Sequence, residues 1–227
     1  MILSLHVPKA AGNSFRSLLQ TEFGDRLMLD YGDWAGFNIP EAIERRNSRT
    51  LAMRSRRDEL IEKYDAIHGH FVADKYLGLF PNGAFVAFLR DPCQQAASHY
   101  CFLLRNPQRD HPEEKMFHEA RMTLLDYLSW DAFRDHQSQY FGNLSIDDFA
   151  MVGLSEEFYR SVDLFNSIFG CGLRGDSFLN VNPDHRGAPY PIDNEVRKAV
   201  EKNRPADVEL YRRAKEIFAR QAARARL

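Results

Sequence analysis

The chain has 227 residues, of which 44% are hydrophobic and 12% aromatic, so it can bury a core and is not intrinsically disordered. Thirty basic residues against 32 acidic ones leave a formal net charge of -2, which excludes a global positive field that would attract nucleic acid. No apolar run approaches the roughly 18 residues of a membrane span, no export signal is visible, and three cysteines do not make a disulfide framework. We therefore expect one soluble, cytoplasmic domain over residues 1–227.

Short apolar runs alternate with helical patterns along the chain. The runs that predict strands cover residues 2–7, 27–29, 66–70, 84–89 and 149–153, with one further run at 178–181. The patterns that predict helices fall in residues 15–23, 40–46, 72–80, 93–104, 117–141 and 158–169, and from 205 onward. This alternation predicts an α/β fold with a central, mainly parallel sheet flanked by helices.

Several predicted helices carry start or stop signals. Asp91 and Pro92 directly follow the apolar run 84–89, and these residue types are favourable at the N-cap and at the first helical position. Ser155 is placed to cap the helix that stops at Gly170, and Pro205 opens the last helix.

The loop between the first strand and the first helix is a candidate anion site. Backbone N–H groups at a helix N-terminus bind anions well, and three consecutive small residues let a ligand approach the backbone. A lysine adds positive charge, and an asparagine and a serine add side-chain donors. The candidate residues are Lys9, Ala10, Ala11, Gly12, Asn13 and Ser14. An ordinary turn with a solvated lysine is the alternative interpretation of this segment alone.

A second candidate lies after the apolar run 84–89. In open α/β sheets, ligands bind at the carboxyl ends of the strands, and Arg90 stands at such an end. Its guanidinium offers a planar fork for a phosphate, and Ser98, two turns into the next helix, adds a hydroxyl donor. A structural arginine paired with an aspartate is the alternative for Arg90.

Taken together and in order, these segments resemble a known family. Residues 6–14, HVPKAAGNS, resemble the 5′-phosphosulfate loop of sulfotransferases that use 3′-phosphoadenosine 5′-phosphosulfate. Residues 88–92, FLRDP, through 98–100, SHY, resemble their 3′-phosphate segment. Between them, residues 68–71, HGHF, are similar to the His-Gly-His element of the carbohydrate 2-O-sulfotransferase branch. The resemblance implies a three-layer sandwich like that of P-loop proteins, in a soluble bacterial enzyme.

The resemblance also implies roles for individual residues. His70 is expected to be the general base, with His68 as its supporting or substrate-positioning partner, and Lys9 is expected to stabilise the leaving 5′-phosphate. Arg186 lies in a loop that closes over the nucleotide in related enzymes. The product would be adenosine 3′,5′-bisphosphate, the acceptor a hydroxyl group, most simply on a carbohydrate, and no metal is required.

The sequence departs from the family at two positions of the loop. Ala10 stands where threonine is common, and Asn13 stands where threonine or serine is common, so two hydroxyl donors are missing. An asparagine amide still donates hydrogen bonds, whereas an alanine side chain does not. A nucleotide-binding module that lacks turnover is therefore one alternative function.

A magnesium-dependent kinase of the nucleotide-kinase type is another alternative. It would need an acidic metal ligand at a strand end, for which Asp91 is the candidate. Phosphate loops of nucleotide triphosphatases place lysine after the last glycine, whereas Lys9 precedes Gly12 by three positions, which disfavours that class.

The remaining histidines and arginines leave alternatives open. His68 and His70 are also compatible with two structural histidines or with half of a zinc site. Six arginines between the loop and His68 could receive an anionic acceptor such as a uronate, or could form a solvated helix face. They are Arg45, Arg46, Arg49, Arg54, Arg56 and Arg57.

Overall fold

A computed structural model of the chain describes residues 1–33, 35, 40–107, 112–174 and 188–227. Five strands form one sheet in the order β2-β3-β1-β4-β5, and every neighbouring pair is parallel. The strands are β1 (Ile2–Leu5), β2 (Leu27–Asp30), β3 (Ala66–Gly69), β4 (Ala84–Leu89) and β5 (Met151–Leu154). All five were predicted from apolar runs, and a parallel sheet is the predicted arrangement.

Helices cover both faces of this sheet. Successive side chains of a strand point to opposite faces, and every residue of β1, β3 and β5 is buried, so both faces must be covered. Right-handed crossovers place helices on both sides, because β1 connects leftward to β2 whereas β4 connects rightward to β5. The predicted three-layer α/β class is therefore confirmed.

Ten α-helices lie in the described parts of the chain. They are α1 (Gly12–Phe23), α2 (Pro40–Arg54), α3 (Arg57–Lys63), α4 (Asp74–Leu77), α5 (Pro92–Arg105), α6 (Pro112–Glu119), α7 (Leu124–Ser129), α8 (Phe158–Phe169), α9 (Asn194–Asn203) and α10 (Pro205–Ala225). Asp91 caps α5 as predicted, since its carboxylate accepts from the N–H groups of Cys93 and Gln94. In the described residues, no helix combines the length and apolar character that crossing a bilayer requires.

Some predicted elements differ from the structure. The helix expected over residues 72–80 is only the single turn α4, because its apolar side chains reach the core from a series of turns. Ser155 does not cap α8, which begins at Phe158 after a 3-10 turn, has Glu157 at its N-cap and has no side-chain hydrogen bond at that cap. Helices α3 and α9 were not predicted, and the strand expected at 178–181 lies outside the described residues.

The sheet contains a topological switch point between β1 and β4. These neighbouring strands send their following helices, α1 and α5, in opposite directions along the sheet. A crevice opens at the carboxyl ends of strands at such a point, and this is where open α/β sheets bind ligands. The predicted loop of residues 8–14 follows β1, and Arg90 follows β4. The topology therefore brings the two candidate segments to one crevice.

Candidate functional site

The loop before α1 has an unusual backbone. Lys9 and Ala11 both have φ of 65°, a left-handed conformation that non-glycine residues seldom adopt and that recurs at functional sites. Ala11 is the N-cap of α1, and the helix continues right-handed from Gly12. The Ala10 N–H is bonded to the Val7 carbonyl at 3.3 Å, so it is the left-handed Ala11 and the first turn of the 12-residue helix that present N–H groups to an anion.

The His6 ring leaves no room for a side chain at Gly12. A Cβ at this position would lie 1.9 Å from Cδ2 of His6, so any larger residue would collide with that ring. Ala10 is fully buried. The sequence predicts that these small residues let a ligand approach the backbone; in the structure the space beside Gly12 is filled by the His6 ring.

Arg90 joins the two sides of the crevice. Its Nη1 donates to the carbonyl oxygen of Lys9 at 3.2 Å, and its guanidinium lies 5.9 Å from the ring centre of Tyr190. No described carboxylate lies within ion-pair distance of Arg90; burial lowers the pKa of its guanidinium, and the charge of Glu156 opposes that shift. The expected alternative of an aspartate-paired arginine does not hold within the described residues. Arg90 therefore presents a cation whose charge is not cancelled by a direct ion pair.

The backbone of Arg90 is fixed by the buried side chain of Gln137. The Arg90 N–H donates to Gln137 Oε1 at 3.1 Å, and Gln137 Nε2 donates to the Arg90 carbonyl at 2.9 Å. Gln137 is held in turn by Asp207, which accepts from the N–H groups of Gln137 and Ser138 at 3.0 and 2.7 Å. Burial raises the pKa of Asp207 to about 6. Gln137 and Asp207 therefore fix the Arg90 backbone from two distant parts of the chain, and together they form a clamp.

Tyr190 is fixed in the same way. Its N–H donates to Gln94 Oε1 at 2.8 Å, and Gln94 Nε2 donates to its carbonyl at 3.0 Å. Gln94 lies in the first turn of α5, immediately after the Asp91 cap. The helix that follows Arg90 therefore also positions the aromatic ring beside the Arg90 guanidinium.

One face of α5 packs on the loop. Gln95 Nε2 donates to the carbonyl of Pro8 at 3.2 Å, and Lys9 Nζ lies 4.6 Å from the ring centre of Phe102. Ser98 is three residues after Gln95 and four before Phe102, so it shares that face and is turned toward the loop. Burial, with smaller effects from Arg105 and Arg90, lowers the pKa of Lys9 to about 8.

Three histidines cluster at the carboxyl ends of β1 and β3. The ring of His6 lies 5.1 Å from that of His68 and 4.2 Å from that of His70. Ser4 pairs with His68 in the parallel register and their side chains meet, with Ser4 Oγ 2.9 Å from His68 Nδ1. The cluster faces α1, whose Phe15 ring lies 6.1 Å from the His68 ring.

The hydrogen bond of His70 sets its tautomer. His70 Nδ1 lies 2.6 Å from the backbone carbonyl of His6, and a carbonyl oxygen only accepts, so Nδ1 carries the proton. In the neutral imidazole the lone pair is then on Nε2, which is the nitrogen able to accept a proton. The His6 carbonyl thus fixes which nitrogen of a neutral His70 can accept a proton.

The other two imidazoles are neutral. Burial lowers the pKa of His68 to about 3 and that of His6 well below 6.5, and the nearby His70 lowers both further. His6 Nδ1 lies 2.8 Å from the Tyr31 hydroxyl. His68 is 1% exposed and supports the ring of His6 from within the core, whereas His70 is half-buried at the edge. Within the described ranges, no three His, Cys, Asp or Glu side chains form a group that could hold a metal.

An ionic cluster lies at the carboxyl end of β2. Lys75 Nζ contacts Asp33 at 2.7 Å and Asp30 at 2.5 Å, and Arg49 contacts the same carboxylates at 2.6 and 2.8 Å. The hydroxyl of Tyr76 donates to Asp30 at 2.9 Å. Both aspartates and Lys75 are buried. Two cations therefore neutralise two carboxylates beside the end of β2.

The arginines between the loop and His68 do not form one anion site. Arg49 belongs to the ionic cluster, and Arg45 donates to the carbonyl of Gly32. Arg56 pairs with Glu59 and Arg57 with Asp58, all exposed, as on a solvated helix face. These four arginines are engaged within the protein, and Arg46 lies apart from them in the lining of a pocket.

The structure brings most of the predicted site residues together. The loop residues lie at the β1–β4 crevice with Arg90 and Ser98, and His68 and His70 lie at the adjoining end of β3. Arg186 lies outside the described residues. Sequence reasoning missed four contributors, which are His6, Tyr31, Gln94 and Gln137. The alternation of Ser4 and His6 on one strand face was the available signal for His6; the two glutamines act over long sequence distances and gave none.

No family model matches the chain, and no curated protein matches it. Among solved structures, one match is a sulfotransferase from Alicyclobacillus acidocaldarius, 16% identical, covering 99% of this chain and 98% of that chain with a TM-score of 0.46. Another is mouse sulfotransferase SULT7A1 complexed with PAP, 12% identical, covering 91% of this chain and 65% of that chain with a TM-score of 0.45. The function is therefore argued below from the geometry of the site.

Proposed function

We propose that this protein transfers the sulfuryl group of 3′-phosphoadenosine 5′-phosphosulfate to a hydroxyl group of an acceptor, most simply a carbohydrate. The observation that carries this proposal is the bond from Arg90 Nη1 to the Lys9 carbonyl across the switch point. It joins two cationic segments, which suits a ligand with two separate phosphate groups. A nucleotide with a single phosphate chain would need only one of them.

The loop and Arg90 would each bind one end of the donor. The N–H groups at Ala11 and the N-terminus of α1 favour the 5′-phosphosulfate, with Lys9 adding a positive charge. Arg90, held by Gln137, and Ser98, on the face of α5 turned to the loop, favour the 3′-phosphate. The missing hydroxyls at Ala10 and Asn13 leave backbone N–H groups as the main donors of the loop.

His70 would act as the general base. The acceptor hydroxyl loses its proton to His70 Nε2 while its oxygen forms a bond to sulfur. The bond between sulfur and the 5′-phosphate oxygen breaks, and its electron pair leaves with adenosine 3′,5′-bisphosphate. Lys9 and the helix N-terminus stabilise the negative charge that develops on that phosphate. His68 supports this arrangement through the ring of His6 and does not touch the acceptor.

Calorimetric titration of adenosine 3′,5′-bisphosphate, without metal, tests the donor site. We expect binding to the wild type, a strong loss in Arg90→Ala, and near-normal binding in His70→Ala, because a base need not hold the donor. Binding of ATP with magnesium but not of the bisphosphate would refute the proposal in favour of the kinase alternative.

Turnover separates an enzyme from a binding module. Release of adenosine 3′,5′-bisphosphate from the phosphosulfate, measured with a panel of hydroxylated acceptors, should occur in the wild type and fall by about 100-fold or more in His70→Ala. Tight bisphosphate binding with no acceptor-dependent release from any class of acceptor would identify a nucleotide-binding module instead.

A further inference from the structure

A pocket opens beside the ionic cluster, and Asp33 and Lys75 line it. It has a volume of about 360 Å³, within the range of about 300–1,000 Å³ that small-molecule sites occupy. Its polar lining consists of Asp33, Arg46, Asn47, Asp74, Lys75 and Gln139. None of these residues belongs to the proposed donor site.

Tyr140 connects this pocket to the proposed base. Its ring lies 6.1 Å from the ring of His70, and the preceding residue, Gln139, lines the pocket. Val72, two residues after His70, lines it as well. His70 does not itself line the pocket, so a ligand bound there would need a further part to reach His70.

The charges in the pocket are balanced. Two acidic and two basic side chains line it, and most of them are already engaged. Lys75 is held by Asp33, while Asp74 accepts from the backbone N–H and the side-chain amide of Asn143, both at 2.9 Å. Burial lowers the pKa of Arg46, against the influence of Asp33. An anionic ligand would therefore find little uncompensated positive charge.

We propose that this pocket is a subsite for an uncharged sugar unit of the acceptor, adjacent to the unit whose hydroxyl is sulfated at His70. The inference rests on the proposed sulfotransferase function and specifies its acceptor. Carboxylate and amide oxygens accept hydrogen bonds from sugar hydroxyls, the Asn47 amide also donates, and Ile43 and Val72 offer apolar contact. This acceptor differs from the uronate considered from the sequence.

Matched acceptors test the charge preference. The probes are neutral disaccharides, the monosaccharides that compose them, and the same disaccharides with one unit replaced by its uronic acid. We expect kcat/KM to be at least tenfold higher for a neutral disaccharide than for its uronic counterpart, and kcat to fall when the second unit is removed. A preference for the uronic acid that disappears in Arg46→Gln would overturn the proposal.

Two variants on α2 test the location of the subsite. Asn47→Ala removes a lining amide, whereas Ser48→Ala changes an exposed neighbour that does not line the pocket. We expect Asn47→Ala to raise KM for the disaccharide about three- to tenfold, with bisphosphate affinity unchanged, and Ser48→Ala to change neither. An unchanged KM in Asn47→Ala would place the acceptor elsewhere.

Two further outcomes distinguish a failure of the proposed sulfotransferase function from a failure of the sugar subsite. Absence of bisphosphate binding would refute the donor site and with it the inference. Bisphosphate binding with sulfation of non-carbohydrate hydroxyls, and of no saccharide in the panel, would leave the sulfotransferase function intact and refute the sugar subsite.

Discussion

Two regions at the carboxyl edge of the sheet differ in the partners of their cationic side chains. At the β1–β4 crevice, Arg90 bonds to a carbonyl and lies over an aromatic ring, and Lys9 lies over the ring of Phe102. At the end of β2, Lys75 and Arg49 are both bound to Asp30 and Asp33. The cations of the first region are bound to a carbonyl and to aromatic rings and not to carboxylates, whereas those of the second are neutralised by two aspartates.

This difference shows that a count of arginines and lysines does not locate an anion site. Six arginines lie between Arg45 and Arg57, more than in any part of the proposed donor site. Those engaged with carboxylates and carbonyls stabilise the fold or the helix surface. Whether a cation can bind an anion depends on the group that it already contacts, and this contact is known only from the three-dimensional structure.

The largest expected effect is on the ionic cluster. Lys75→Met leaves Asp30 and Asp33 buried with one cation fewer, and breaking a buried pair in this way costs about 3–5 kcal/mol of unfolding free energy. Chemical denaturation measures this loss. Adding Asp33→Asn to Lys75→Met should recover a large part of it, and an equally unstable double variant would show that the charges are not the cause.

Smaller effects are expected from the buried carboxyls of Asp207 and Asp30, whose contributions to stability change in opposite directions with pH. Burial raises the pKa of Asp207 from 3.8 to about 6, so the folded state binds the extra proton and stability falls by up to about 3 kcal/mol as pH rises from 3.8 to 6. Burial alone would raise the pKa of Asp30, but hydrogen bonds and charges from Lys75, Arg49 and Tyr76 lower it below 3.8. The contribution of Asp30 to stability is therefore present above pH 3.8 and is lost on acidification.

Denaturation between pH 4 and pH 7 can resolve the Asp207 contribution. Asp207→Asn should flatten the decrease in stability over this interval, relative to the wild type. An unaltered slope would mean that Asp207 titrates at its ordinary pKa in the folded protein.

Arg90 should affect ligand binding more than folding. Arg90→Ala removes charge-assisted bonds to the donor, and we expect adenosine 3′,5′-bisphosphate affinity to fall by about 10- to 100-fold. The unfolding free energy should change by only about 1 kcal/mol, because the folded protein loses one bond to the Lys9 carbonyl. A stability loss as large as that of Lys75→Met would contradict the contrast between the two regions.

Lys9 should make donor binding depend on pH. Its pKa of about 8 means that the charged form is lost as pH rises past 8, so bisphosphate affinity should decrease there by up to about tenfold per pH unit. Lys9→Arg keeps its charge and should bind with constant affinity from pH 7 to pH 10. Parallel decreases in both proteins would assign the effect to another group.

The smallest expected effect concerns the clamp on Arg90. Gln137→Ala removes both bonds to its backbone, and we expect bisphosphate affinity to fall about three- to tenfold. Gln221 makes a similar pair of bonds to the Val152 N–H and the Ala150 carbonyl of the β5 region. Gln221→Ala should therefore lower stability without lowering bisphosphate affinity. Equal losses of bisphosphate affinity in Gln137→Ala and Gln221→Ala would show that Gln137 does not position Arg90.

The elements that could be predicted from the sequence have local causes. Each strand is a short apolar run, and the Asp91-Pro92 start of α5 is a pair of adjacent residues. The loop after β1 and Arg90 were found because strand ends in a parallel sheet share one edge. Helix α4 was overestimated because buried apolar side chains in turns produce the same composition as a helix face.

The remainder of the site depends on contacts between distant residues. Gln137 meets Arg90, 47 positions away, and Asp207 meets Gln137, 70 positions away. The His6 carbonyl that sets the tautomer of His70 is a backbone group, which no side-chain pattern reveals. The ionic cluster draws on β2, α2 and α4 together. Such arrangements follow from tertiary packing and not from local composition.

The contact between Gly12 and His6 has an evolutionary consequence. Because a Cβ at position 12 would overlap the His6 ring, the two positions share one fixed space. A side chain can appear at position 12 only after position 6 has become smaller, and a chain that made this exchange would lose the ring that packs between His68 and His70. Among homologues, residues 6 and 12 are therefore expected to co-vary, with histidine at one accompanied by glycine at the other.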